Sequence, residues 1–420
     1  MQSPRFKAPN ITLGIEPDTV HRQRAVAGAN LSRSTLRRQV AGLLHDRKYA
    51  AEGQHRVCFC MRTVREGQAG VNVYRTVTGK SRYTGLIPCG DVWTCPECAA
   101  KIAAKRAAEL ERALVIANLA GHHAYLLTLT FPHEHGISLA DLLGPFAKAL
   151  QTFKNSKGYK GFMLRHRRLG QVKALEVKHG GYGWHPHVHE LIFAAPGMLE
   201  DTRSLDALRR AWVDALLKWG LGERRNRSDM LAHAFDLRGG NDAAAYIAKY
   251  GHDERWGMSH ELAAPLAKAE TDPMGHHTPF QLAALGAAGE VWAADLFREY
   301  VAAMKGKRAM TWTRGLRKAL FGIDNEETDE ALAKLDEPMP EEKFVGMVSV
   351  EDFQELLARR KEGDLLYIVG TWIGDMSEAD LAEVVEGLIS SSKRRSSGFL
   401  AQIGYGLKKL VGLPGQFSRA

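Results

Sequence analysis

HPHVHELIF, residues 185–193, places His185, His187 and His189 two residues apart. Successive side chains of an extended strand point to opposite faces, so all three imidazoles project from one face and Val188 from the other. A single histidine on a strand is usually solvated, whereas three on one face of an aliphatic run have the spacing of metal ligands. Pro186 is tolerated only at the start of a strand or on a sheet edge, so the strand is expected to begin here and run through Ala194.

Outward from this strand, VKALEVK at 172–178 alternates in the same way, and the glycine-rich HGGYGW between the two predicts a hairpin. A register that places Glu176 opposite His189 adds a carboxylate to the histidine face. The third ligand is then Glu176 or His185. YLLTLTF at 125–131 reads as another strand, stopped by Pro132, and helices are expected over 139–153 and 205–219, with a short strand at 233–237. The fold class is therefore α+β, an antiparallel sheet with flanking helices.

NDAAAYIAKY at 241–250 begins with the helix-capping residues Asn241 and Asp242, and its alanines favour helix. Tyr246 and Tyr250 then lie one turn apart on one face, with Lys249 beside them. A divalent ion on imidazoles polarises a phosphoryl oxygen, and a phenol favoured as phenolate by the ion and by Lys249 can attack phosphorus. That pairing describes cleavage of a nucleic-acid strand through a phosphotyrosine. Two tyrosines can alternate, one holding the strand while the other cuts.

The five cysteines fall between Cys58 and Cys98. Cys95 and Cys98 form a CxxC, Cys89 lies six residues earlier, and Cys60 or Cys58 completes four thiolates. Such a set suits a structural zinc ion, since four thiolates leave no position for substrate. A helix follows over 99–120, ended by Gly121. The cations Lys154, Lys157, Lys160, Arg165, Arg167 and Arg168, interleaved with Tyr159 and Phe162, suit single-stranded nucleic acid, phosphates on the cations and bases on the rings.

The 420 residues carry a formal net charge of +9, with a pI near 9.2, which favours an anionic partner, nucleic acid first. No apolar stretch long enough to span a membrane occurs and the first residues have no signal-peptide core, so a cytoplasmic protein without a membrane partner is expected. Residues 1–55 read as a basic arm, 56–120 as the zinc module with its connecting helix, and 121–322 as the catalytic domain with a helical extension. An acidic linker at 323–343 precedes a helical region, 344–420, with no evident chemistry.

Taken in order, CG-VW-CPEC, LTLTFPH, ALEVKHG-GWHPHVH, YIAKY, TPFQL and MKGKRAMTWTRGL resemble the rolling-circle replication initiators of bacterial plasmids, within the HUH endonuclease superfamily. The resemblance covers about residues 56–320. It implies that His187 and His189 hold a magnesium or manganese ion and that Tyr250 is the principal nucleophile. The implied activity is nicking and rejoining of origin DNA, single-stranded or in a hairpin or cruciform, with a host helicase and polymerase as further partners. Some relatives have Glu at the position of Tyr246; tyrosine here favours a second nucleophile over water-mediated termination. The family pattern R-V-x-x-C-x-R fits Arg56, Val57, Cys60 and Arg62, which favours Cys60 over Cys58. A rolling-circle insertion-sequence transposase shares the same chemistry, and a non-catalytic zinc-dependent DNA-binding regulator would share the cysteines alone.

Overall fold

The computed structural model of the protein describes residues 33–46, 48, 53–239, 276–323, 325–336 and 341–390. These residues are α+β and contain eight strands: β1 Gly70–Thr76, β2 Ser81–Thr84, β3 His123–Leu129, β4 Gly170–Gly180, β5 Gly183–Ala194, β6 Phe235–Gly239, β7 Met310–Trp312 and β8 Glu342–Ser349. The chain divides into two compact units. The larger takes Ser32–Thr63 with Ile87–Asp336, and the smaller takes Val64–Leu86 with the chain from Glu337.

In the larger unit the five strands run in the order β6-β3-β5-β4-β7, every described pair antiparallel. The histidine strand β5 is therefore central. Its packing differs between the two faces. On one, Val188 and Ile192 join Leu127, Leu129 and Val177 in a core with Phe146, Phe153 and Trp212, supplied by helices Leu139–Asn155 and Thr202–Lys218. On the other, Leu191 and Phe193 lie with Leu126 and Val172 under Leu110, Ala113 and Ala117. Those three form an i, i+3, i+7 stripe on helix Pro96–Leu119. The histidines share the face of Leu191 and Phe193 but lie nearer the hairpin turn.

The β4–β5 hairpin is longer than the sequence predicts. It closes at Gly180 opposite Gly183, so β5 begins two residues before His185. Gly183 has φ +89°, and a Cβ there would lie 3.0 Å from the Glu134 carbonyl oxygen, which makes glycine the fitting residue. Pro186 sits inside the strand because the last β3–β5 pair is Leu129 with Val188. Beyond that point β5 pairs only with β4, and the absent N–H of Pro186 costs no bond to β3.

Helix Arg227–His233 precedes β6, where the sequence pointed only to a strand. The acidic stretch carries helix Asp329–Lys334 and packs on helix Pro96–Leu119. There the buried Arg106 donates to the Glu327 carbonyl at 2.7 Å and lies 3.3 Å from Asp329, while Lys101 reaches Asp336 at 2.6 Å.

The smaller unit has strand order β2-β1-β8, backed by the helical C-terminal region: Val350–Ala358, Glu362–Thr371 and Glu378–Ser390. Tyr83 meets Phe353 edge-on at 5.2 Å. β8 was not visible as a strand in the sequence. No helix among the described residues is long and apolar enough to cross a membrane.

Candidate metal centres

Glu176 lies opposite His187 on β4 and β5, not opposite His189, whose partner is Ala174. This corrects the expected register by one pair on the same face, so the carboxylate still joins the histidines. Its Oε2 is 2.9 Å from His187 Nε2 and 3.2 Å from His189 Nε2. The three ligand atoms lie within 4.8 Å of one another.

Relative exposures of 3% for Glu176, 8% for His187 and 5% for His189 mean that any charge here must be matched locally. Burial raises the Glu176 pKa, but the hydrogen bonds to His187 and His189 and the charge of Lys178 outweigh it and hold the carboxyl well below its usual range. The Lys178 ammonium is 2.9 Å from Oε1. Burial also depresses the His189 pKa, against the raising effect of Glu176, and so favours the neutral imidazole that ligates metals.

The far nitrogens are held too. His189 Nδ1 is 3.0 Å from Thr128 Oγ1, and His187 Nδ1 is 3.4 Å from the His185 carbonyl oxygen. Partners at Nδ1 turn both Nε2 atoms toward Glu176, the orienting arrangement common around metal-bound histidines. Thr128 escaped the sequence reading, although its alternation with Thr130 in LTLTF marked one polar side of an apolar strand. His185 lies outside the group of three. Its Nε2 meets Thr130 Oγ1 at 2.6 Å and its ring stacks on His133 at 4.4 Å. Burial, then the neighbouring His187, His133 and His276, push its pKa down to about 3.

Two imidazoles and one carboxylate can hold a divalent ion and leave coordination positions open to substrate. The cysteines can form the opposite kind of site. Cys60, Cys89, Cys95 and Cys98 converge within 4.8 Å, with Sγ separations of 3.4 Å for Cys95–Cys60, 3.6 Å for Cys60–Cys98 and 3.7 Å for Cys89–Cys98. A tetrahedron with Zn–S bonds of about 2.3 Å has edges of about 3.8 Å, so the four sulfurs fit a zinc ion. Cys95 caps helix Pro96–Leu119 and Cys98 lies in its first turn, where the dipole favours thiolate. The Cys89 amide donates to Cys60 Sγ at 3.3 Å. Next to it Gly90 has φ +69°, and a Cβ there would come within 2.9 Å of Glu330 Cα. Cys58 stands apart, its thiol 3.6 Å from the Ala41 carbonyl oxygen.

The chain is 30% identical over 328 residues to Protein rep of Streptomyces lividans, an alignment that takes in 62% of this chain and 69% of that protein. The chain belongs to the Rep protein family. This Rep-family chain is also 30% identical over 194 residues to the neomycin resistance protein of Streptomyces cyanogenus, covering 40% of this chain and 44% of that protein. No family model matches it, nor does any solved structure.

Tyr246, Lys249 and Tyr250 of the Rep-family chain lie outside the described residues. The basic stretch 154–168 is largely helical, Lys157–Arg165, and its rings are not available to bases, because Tyr159 and Phe162 are buried. Lys154 pairs with the fully buried Glu190. Arg168 donates to Gln171 at 2.8 Å, and Arg165 pairs with Asp201 at 2.6 Å. Lys157, Lys160, Arg165 and Arg167 are exposed.

Proposed function

We propose that this protein initiates plasmid replication by the rolling-circle route, nicking one strand at the origin and rejoining it at termination. The observation that carries the reading is the convergence of Glu176, His187 and His189 from adjacent central strands in a chain of the Rep family. Their nitrogen and oxygen donors suit manganese better than magnesium, which prefers oxygen. The ion, when bound, supplies polarisation of a phosphoryl oxygen. Glu176 neutralises part of its charge, and Thr128 and the His185 carbonyl hold the two imidazoles in place.

In this reading the Tyr250 oxygen attacks phosphorus, the bond from phosphorus to the 3′ oxygen breaks, and that oxygen leaves as a free 3′-hydroxyl after taking a proton. The other product is a 5′-phosphotyrosine, which keeps the energy of the broken bond for rejoining. Lys249 favours the phenolate, and Tyr246 serves as second nucleophile. Cys60, Cys89, Cys95 and Cys98 hold a structural zinc. Lys157, Lys160, Arg165 and Arg167 are the exposed members of the basic stretch and would meet phosphates, while Lys154 and Arg168 act through Glu190 and Gln171.

A cleavage assay tests the reading: labelled single-stranded DNA from the protein's own replicon, incubated with manganese, with chelator, and with the His187→Ala/His189→Ala double variant. Cleavage that needs both the ion and the histidines is expected. Cleavage that survives chelation or the double substitution would remove the triad from the chemistry.

A further inference from the structure

Helix Arg227–His233 plays no part in the triad, yet its Ser228, Leu231, Ala232 and His233 line a cleft of about 840 Å³ beside β6, at the edge of the described sheet. Helix Thr202–Lys218, helix Arg227–His233 and β6 form its walls. It is an open cleft rather than an enclosed cavity.

Two features decide what it takes. Its walls carry Arg209, Arg210 and Arg238. Arg209 and Arg238 are engaged with Asp206 at 2.8 Å and Asp236 at 2.7 Å. These pairs involve exposed partners, whose attraction is worth only about 0–1 kcal/mol, so a phosphate can compete for the guanidinium groups. Arg210 and Arg238 are both exposed, and arginine binds phosphate oxygens bidentately.

The second feature is where the cleft ends. Thr128 is part of its lining, and the Thr128 hydroxyl is the group that holds His189 Nδ1 at 3.0 Å. Across the sheet Asp236 stands opposite Thr128 and Thr128 opposite His189, so the cleft opens onto the strand row that carries the metal ligands. Residues on both faces of β6, Phe235 and Asp236, line it, so it spans the edge of the sheet and reaches the row of Thr128, next to His189.

The geometry points to this cleft as the channel that guides one DNA strand, by its phosphates, past the edge of β6 to the metal centre. The inference rests on the strand-cleavage reading for the nature of the ligand. The sequence places Tyr246 and Tyr250 shortly after β6 in the chain.

The test uses the full chain and a fluorescent single-stranded oligonucleotide of mixed sequence, about twenty nucleotides long, with anisotropy read across a salt series. Arg210→Glu with Arg238→Glu is expected to weaken binding about tenfold or more near 0.1 M salt. The neutral pair Arg210→Ala with Arg238→Ala should lower the slope of log K on log salt by about 1.4, the loss of two phosphate contacts to a single strand. Arg112→Glu with Lys318→Glu, on exposed helix positions that do not line the cleft, carries the same charge change and is expected to weaken binding much less. Equal weakening by that control, or an unchanged affinity and salt slope in both cleft variants at unchanged melting temperature, overturns the channel. The same preparations go into the manganese cleavage assay. A wild-type protein that binds through the cleft and never cleaves refutes the nicking reading alone, and one that cleaves with the cleft variants unimpaired in binding refutes the channel alone.

Discussion

Glu176 is a buried carboxylate whose Oε2 lies within hydrogen-bond reach of two imidazole nitrogens, and each imidazole is oriented by a partner at its other nitrogen. Removing the charge while keeping the shape isolates its contribution: Glu176→Gln should lose manganese binding, seen as the disappearance of the calorimetric titration. Thr128→Val removes only the hydrogen bond to His189, and outer partners of metal-bound histidines are worth about 10–100-fold in affinity. A weakening of that size, with the fold unchanged by circular dichroism, is expected. At the cysteine centre, Cys60→Ser should lower bound zinc, measured by metal analysis, and Cys58→Ser should leave it at the wild-type level. Spacing alone could not separate these two cysteines, since both precede Cys89 by suitable distances. What separates them is the three-dimensional position of the Cys58 thiol against the Ala41 carbonyl.

The β4–β5 hairpin places the ligands, and its edges explain what the sequence showed and what it hid. Period-two alternation made the two strands and their shared face legible. The register was not, because the several glycines of HGGYGW permit more than one closure, and the turn that forms places Glu176 opposite His187. β8 was hidden because its partner β1 lies far back in the chain and the strand is half exposed. The acidic stretch looked like a linker by composition, yet the buried Arg106 gives it a docking partner that no local pattern reveals. Two predictions belong to this scale. The Trp212 indole N–H donates to the carbonyls of Thr130 at 3.1 Å and Ala234 at 2.9 Å, tying the end of β3 to the start of β6. Trp212→Phe keeps an aromatic ring in the core but loses both bonds, and should cost about 2 kcal/mol in denaturant unfolding. On β4, burial and then the nearby His277, His135 and His133 depress the His179 pKa to about 4. The folded state thus disfavours its protonated form. Its contribution is whole above the unfolded value of 6.5 and is lost as pH falls from there toward about 4. Urea midpoints should fall over that window, and less steeply in His179→Gln.

At the scale of the whole molecule, the chain joins a sheet that carries Glu176, His187 and His189 to a cluster of four cysteines at the start of helix Pro96–Leu119, each group able to hold a metal ion. That helix in turn covers the apolar half of the histidine face. An ion shared by the four thiolates would tie its N-terminus, which carries Cys95 and Cys98, to the two segments that carry Cys60 and Cys89, so zinc chelation should lower the melting temperature by several degrees. The resemblance of ordered motifs and the relationship to Protein rep of Streptomyces lividans point the same way, and the proposed chemistry would require a tyrosine to act together with Glu176, His187 and His189. The most direct test is mass spectrometry of the protein–DNA adduct formed in manganese. The result expected is a nucleotide-bearing peptide containing Tyr250, present in the wild type and absent from Glu176→Ala. A nucleotide on a tyrosine other than Tyr250 or Tyr246, or an adduct undiminished in Glu176→Ala, would contradict it.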